Sequence, residues 1–234
     1  MPSFGRDRRA LLVGGATGLL FAAGAVAGPK GPDDEKEVSA VEDMMREHGV
    51  LRRALLVYAE TAARLRAEAG AIDPKLLNET ALLFQAFGEN YHERELEEPY
   101  VFPAVRKAGG AAAALPDILT AQHNRGREIT EYVLRVTGKA SISAADAEPL
   151  ARALEAQALM YQNHAAREDT VVFPAWKNAL SESQLDELGE KFEEIEHKQF
   201  GADGFEDAVR KIAAIEQALG YADLSQFTAP SPPR

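Results

Sequence analysis

The chain has 234 residues and no cysteine, with 37 acidic against 26 basic side chains and a net charge of −11. That length suits one domain with a short appendage and allows a sizeable core. The lack of thiols excludes disulfides, Fe–S clusters, zinc–thiolate sites and thiol catalysis, and the acidic balance argues against nucleic acid as a partner, so any metal must be held by histidine and carboxylate.

The first thirty residues read as an address. Arg6, Arg8 and Arg9 precede the uncharged run Ala10 to Ala27, and Ala25-Val26-Ala27 is a small-residue cleavage pattern ahead of Gly28. Residues 1–27 are therefore expected to be a signal peptide. The mature protein would then be periplasmic or extracellular, with no stable membrane insertion. Left uncut, the same run is just long enough to anchor the chain in a bilayer. Asp7-Arg8-Arg9-Ala10-Leu11-Leu12 resembles a twin-arginine export signal, with Asp7 where Ser or Thr is usual and Leu11 where Phe is common. That route is known for proteins that fold around a cofactor before export. Removing residues 1–27 takes away three arginines and one aspartate and leaves a net charge of −13.

Residues 28–38 form a Pro/Gly/charge linker. Helical periodicity follows. Ser39 to Ala69 is amphipathic, with Val41, Met44, Met45, His48, Leu51, Leu55 and Tyr58 at three- and four-residue steps. Pro74 opens a second helix that runs to Ala108, where Gly109-Gly110 ends it. Leu115 to Val136 is a third, closed by Gly138, and Ala145 to Leu180 a fourth. Ser181 caps a fifth helix, Gly201 to Gly204 separates it from a sixth ending near Leu219, and 223–234 is expected to be a disordered tail. Short connections between long helices predict an all-α fold. It would be an up-down-up-down four-helix bundle over 39–180 with a C-terminal helical hairpin over 181–222.

The chain repeats itself. Tyr100-Val-Phe-Pro-Ala104 recurs as Val171-Val-Phe-Pro-Ala175, 71 residues on. His92 precedes the first copy and His164 the second, and each half has one earlier histidine, His48 and His123, at similar intervals of 44 and 41 residues. Two helix pairs with matching inventories suggest a pseudo-two-fold axis. In the fourth helix His164 and Glu168 are four apart and share a face. In the second helix position 96 is a leucine. Counting back from Phe-Pro, Glu97 matches Glu168, so one residue is inserted after His92. An α-helix would turn Glu97 away from His92; a local π-bulge, made plausible by Pro99, restores the face. Glu97 is preferred as the second carboxylate, with Glu95 or Glu93 as the alternative. Six such groups without a thiolate suit iron or manganese, with zinc possible, and would be a costly core without metal.

These residues resemble the hemerythrin-like, HHE cation-binding family over about Ser39 to Leu180, through Arg46-Glu47-His48-Gly49-Val50-Leu51, Gln122-His123 and the two His/Glu/Phe-Pro segments. The resemblance implies a four-helix bundle with two iron ions joined by an oxo or hydroxo bridge. The metal ligands it implies are His48, His92, Glu97, His123, His164 and Glu168. It also implies a small ligand such as O2, peroxide or nitric oxide. Oxygen-carrying members use five histidines, and this core offers four, which would leave both irons open to reaction. A non-enzymatic oxygen or iron sensing or storage module is the alternative. Glu89 and Tyr161, each three residues before a ligand histidine, are candidates for an extra ligand or a supporting donor. His197, the fifth histidine, is expected to be a solvated surface group, and Trp176 a packing residue.

Overall fold

The computed structural model describes residues 38–233 except 69, 71 and 202. The expected signal peptide, its cleavage site and all but the last residue of the expected linker lie outside the described residues. Within them the chain is helical, with no strand, and no helix is long and apolar enough to cross a membrane.

Helix α1 spans Ala40–Ala67, started by the Ser39 side chain accepting from the Glu42 amide. Helix α2, Pro74–Leu83, starts the same way at Asp73, with Pro74 in the first turn, where its missing N–H costs nothing. It continues without a break into a π-helical stretch, Phe84–Val101, and then α3, Phe102–Ala108. Gly109 and Gly110, both at positive φ, end it. A 3-10 turn, Ala111–Ala114, leads to α4, Pro116–Thr137. Helix α5, Ala144–Arg167, passes into a second π-helical turn, Glu168–Val172, and then α6, Phe173–Asn178. Ser181 and Gln184 form a capping box for α7, Glu182–Phe200, which Gly201 closes in the left-handed conformation. Helix α8 is Gly204–Leu219.

Helix α1 packs along α5, and α4 lies against both α5 and α2. Their facing sides bury Leu55, Tyr58, Phe84, Leu150 and Leu154, each contributing roughly 1.5–3 kcal/mol of transfer free energy. The last two helices are not independent of this core. Phe192 of α7 stacks on Trp176 of α6 at 6.0 Å, and α8 packs on α2 and α1. The stretch expected to be a disordered tail contains a 3-10 turn, Leu224–Phe227, whose Asp223 cap accepts from the Ser225 amide. The Gln226 side chain is also tied to the Gly220 carbonyl.

Both π-helical stretches end in the same way. The Phe102 amide donates to the Glu97 carbonyl, and the Phe173 amide to the Glu168 carbonyl, each five residues back. Pro103 and Pro174 follow directly. A proline ring collides with the carbonyl four residues before it, and a wider turn moves that carbonyl aside. The Phe-Pro pairs thus set the helix type on which each glutamate sits. The expected single bulge near Pro99 is in fact an 18-residue stretch. Five-residue steps along it place Phe87, His92, Glu97 and Phe102 in register, all buried.

Candidate metal centre

The four histidines and two glutamates meet in the core. Glu97 reaches across two histidines: Oε1 lies 3.2 Å from His92 Nε2, and Oε2 3.3 Å from His123 Nε2. Glu168 does the same, with Oε2 3.4 Å from His48 Nε2 and Oε1 3.0 Å from His164 Nε2. Glu97, His123, His164 and Glu168 form one group able to hold an ion, and His48, His92 and Glu97 another. Nitrogen and oxygen ligands about 2.1 Å from one ion, at right angles, would be about 3 Å apart, which is the spacing observed. Glu95 is exposed and takes no part.

The outward nitrogen of each ring explains its orientation. His48 Nδ1 lies 2.7 Å from Asp169 Oδ1, His92 Nδ1 2.5 Å from Glu47 Oε2, His123 Nδ1 3.0 Å from Glu98 Oε1, and His164 Nδ1 2.9 Å from Gln122 Oε1. Each partner is an acceptor, so each Nδ1 carries a hydrogen and donates it. Each Nε2 therefore presents a lone pair inward when the ring is neutral. His123 Nε2 and His164 Nε2 are only 3.1 Å apart. With both rings neutral, two lone pairs facing at that distance need a metal ion or a shared proton between them. With the rings neutral, the four oxygens of Glu97 and Glu168, in side chains with no solvent exposure, likewise have no hydrogen-bond donor. Leaving so many buried acceptors unmatched would be costly. The donor set fits metal ions.

Electrostatics points the same way. Burial pulls His123 down, but Glu93, Glu97 and Glu98 outweigh it and push it up to about 10. Burial likewise opposes His92, which Glu97 and Glu47 hold well above the ordinary histidine range. Burial raises Glu97, but His92 and His123 hold it well below the usual carboxylate range. The pocket selects positive charge, and an entering metal must displace protons from these rings.

The same device is built twice. Arg52 pairs with Asp169 and Arg127 with Glu98, each arginine four residues after the histidine that shares its carboxylate. Phe173 stacks on His48 at 5.3 Å and Phe102 on His123 at 5.5 Å. The hemerythrin HHE cation binding domain matches residues 39–176 of the sequence. The chain belongs to the hemerythrin HHE cation-binding domain family. It is similar to uncharacterized proteins of Mycobacterium tuberculosis and Mycobacterium bovis, each 45% identical over 198 residues that cover 84% of this chain and 76% of theirs. No solved structure matches it.

Within this hemerythrin-like domain the two supporting candidates go different ways. The Tyr161 hydroxyl donates to Glu93 Oε1 at 2.6 Å, with its ring 5.3 Å from His164. It stands beside the centre and its oxygen is engaged elsewhere. Gly126 makes the room, since a Cβ there would come within 2.1 Å of that hydroxyl. Glu89 is not in the cluster. It faces Thr130, and burial pushes it up to about 7 against that contact. The reason is helix type. Three residues are nearly a full turn of the α-helix that carries Tyr161, but fall well short of one on the π-helical stretch that carries Glu89. Glu93, the alternative carboxylate, is held by Arg127 and Tyr161 at the edge of the centre. His197 is exposed on α7.

Sequence reasoning missed the outer partners Glu47, Gln122, Glu98 and Asp169, and the arginines Arg52 and Arg127. The signal was present. Both first histidines follow Glu or Gln and precede Arg by four, and both glutamates are followed by an acid.

Between the rings lies a cavity of about 10 Å³, bounded by His48, His92, His164, Glu97 and Glu168 and walled by Leu51, Leu55 and Tyr161. It has room for about one water-sized molecule.

Proposed function

We propose that this hemerythrin-like domain holds two iron ions and binds or reacts at them with a small ligand, O2, peroxide or nitric oxide. His48 and His92 would hold one ion and His123 and His164 the other, with Glu97 and Glu168 each offering one oxygen to either, and an oxo or hydroxo group would accompany the two irons. The observation that carries this is the set of four buried carboxylate oxygens, each facing a different imidazole nitrogen at 3.0–3.4 Å. In this reading the four long helical stretches run up, down, up and down around the centre. Iron would supply electron exchange and Lewis acidity toward the ligand. The chain's own groups orient the imidazoles, keep bulk water out through Leu51 and Leu55, and place the Tyr161–Glu93 hydrogen bond at the cavity wall.

Metal analysis of protein expressed with added iron should give two irons per chain and a near-ultraviolet band in the oxidised state; one ion or none overturns the reading. With Tyr161 bonded to Glu93 and Glu89 turned to Thr130, neither closes a coordination position. The protein should therefore not act as a dedicated reversible oxygen carrier. Reduced protein exposed to O2 should oxidise rapidly, and a long-lived species that releases O2 under vacuum through repeated cycles would show otherwise.

The apolar run and the Ala25-Val26-Ala27 pattern support a mature protein beginning near Gly28, outside the cytoplasm. N-terminal sequencing from the native host should find that end, and recovery of intact cytosolic chain would refute it. Arg8→Lys with Arg9→Lys should block export; normal export of that variant rejects the twin-arginine route.

A further inference from the structure

We propose that the two metal positions are unequal, the one between His48 and His92 holding its ion more tightly, because the carboxylate of Glu47 backs His92 where the amide of Gln122 backs His164. This rests on the two-metal reading.

The two halves match at their first histidines and at the shared glutamates, although Glu93 also lies 3.8 Å from His123 Nδ1. His48 and His123 are each backed by a carboxylate, Asp169 and Glu98, and each of these is paired with an arginine, Arg52 and Arg127. Each bridging glutamate gives one oxygen to each half. Each first histidine is stacked on a phenylalanine at nearly the same distance. The remaining pair breaks the symmetry. Glu47 and Gln122 are equivalent positions, one residue before the first histidine of each half, and each accepts from the second histidine of its own half. Glu47 is 1% exposed, its charge acts on Asp43 and Glu196, and among the described residues no arginine or lysine pairs with it. Gln122 is half-buried and neutral.

A carboxylate accepting the Nδ1 hydrogen enriches the lone pair at Nε2, and removing such a partner typically costs ten- to a hundred-fold in metal affinity. A neutral amide polarises the ring less. Burial strengthens the effect at Glu47, where water does not screen it, and partial exposure weakens it at Gln122. His92 is therefore the strongest of the four donors and His164 the weakest. Glu47 and Gln122 act through these rings as positioning residues and touch no metal themselves.

The test is zinc(II) added to the full chain after chelation, with binding followed by calorimetry and the histidine ring signals by NMR. Two steps separated by about tenfold or more are expected, with His48 and His92 shifting first. Glu47→Gln should weaken the first step about tenfold and leave the second in place. Gln122→Glu should tighten the second by a similar factor, and this gain tests the idea even if Glu47→Gln folds poorly. The double exchange should reverse the order, so that His123 and His164 shift first. Equal steps in the unmodified protein, an order that the exchange does not change, or equal weakening of both steps by Glu47→Gln would overturn the proposal. No zinc binding at all would instead overturn the two-metal reading beneath it.

Discussion

Helix two and helix four deliver the same pair of groups by different routes. On helix four His164 and Glu168 are four apart, with regular α-helix up to Arg167 and a π-helical turn only from Glu168 to Val172. On helix two His92 and Glu97 are five apart, and the π-helical stretch runs from Phe84 to Val101. Each route ends with a glutamate carbonyl accepting from a phenylalanine amide five residues on, and with that phenylalanine stacked on a histidine of the other half. The constant is the distance from carboxylate to Phe-Pro. The histidine spacing is adjustable, because a wider helix absorbs an extra residue without moving the face.

The bridging role predicts the largest effects. Glu97→Ala and Glu168→Ala should each empty both positions, since each glutamate faces one histidine of either pair. Each also strips a counter-charge from buried imidazoles, which costs about 3–5 kcal/mol and lowers Tm by roughly 10 °C in a chain this size. Metal content by mass spectrometry and a melting curve check this. A Glu168→Ala protein that keeps one ion and its Tm would show that the carboxylate does not bridge.

Much of this was legible in the sequence because caps and breakers are local chemistry. Ser39, Pro74, Gly109-Gly110, Gly138, Ser181 and Gly201 sit at the helix ends the structure shows. Counting back from Phe-Pro singled out Glu97, because the carboxylate's place depends on a proline that can be read directly. The length of the π-helical stretch was not legible, since an i to i+5 hydrogen bond has no compositional mark, and neither was the face that Glu89 takes. The outer partners were missed for another reason. A residue next to a ligand in sequence points about 100° away on a helix, so the contacts of Glu47, Glu98 and Asp169 with imidazoles depend on neighbouring helices that sequence spacing does not place.

The two arginines that repeat this design differ in burial, and that sharpens the comparison at a smaller scale. Arg127 is 12% exposed and holds Glu93 and Glu98 together, whereas Arg52 is 42% exposed and holds Asp169 alone. Arg127→Ala should cost about 2–3 kcal/mol, because two partly buried carboxylates lose their common cation. Arg52→Ala should cost about 1 kcal/mol or less, as exposed pairs do. Urea unfolding of the two variants side by side decides it, and equal losses would mean that burial does not separate the halves.

The first half also carries an acid that the second lacks. Asp43 lies four residues before Glu47, and the equivalent position before Gln122 is Ile118. Burial, then Glu47 and Glu196, raise the Asp43 carboxyl to about 7 from 3.8. The folded chain therefore holds this proton where the unfolded chain has released it. Its contribution is full below about pH 3.8 and is lost as pH rises toward about 7. Asp43→Asn should accordingly stabilise the protein by about 1 kcal/mol at pH 8 and change little at pH 4. Melting curves at both values test the sign; a stabilisation larger at pH 4 would contradict it.

The smallest effect is expected from the change that looks most disruptive. One alanine inserted after Ala166 would give helix four the spacing of helix two, five residues from histidine to glutamate. In a regular α-helix this would swing His164 by about 100° and remove it from the centre. Glu168, however, is fixed from its C-terminal side, by the Phe173 amide and by Pro174. The π-helical turn that already begins at Glu168 needs only to extend toward His164, as the stretch over Phe84–Val101 does around His92. The variant should therefore still bind two ions with an unchanged helical signal in circular dichroism. Binding of one ion would show that the long π-helical stretch of helix two, and not the Phe-Pro anchor common to both halves, is what accommodates the extra residue.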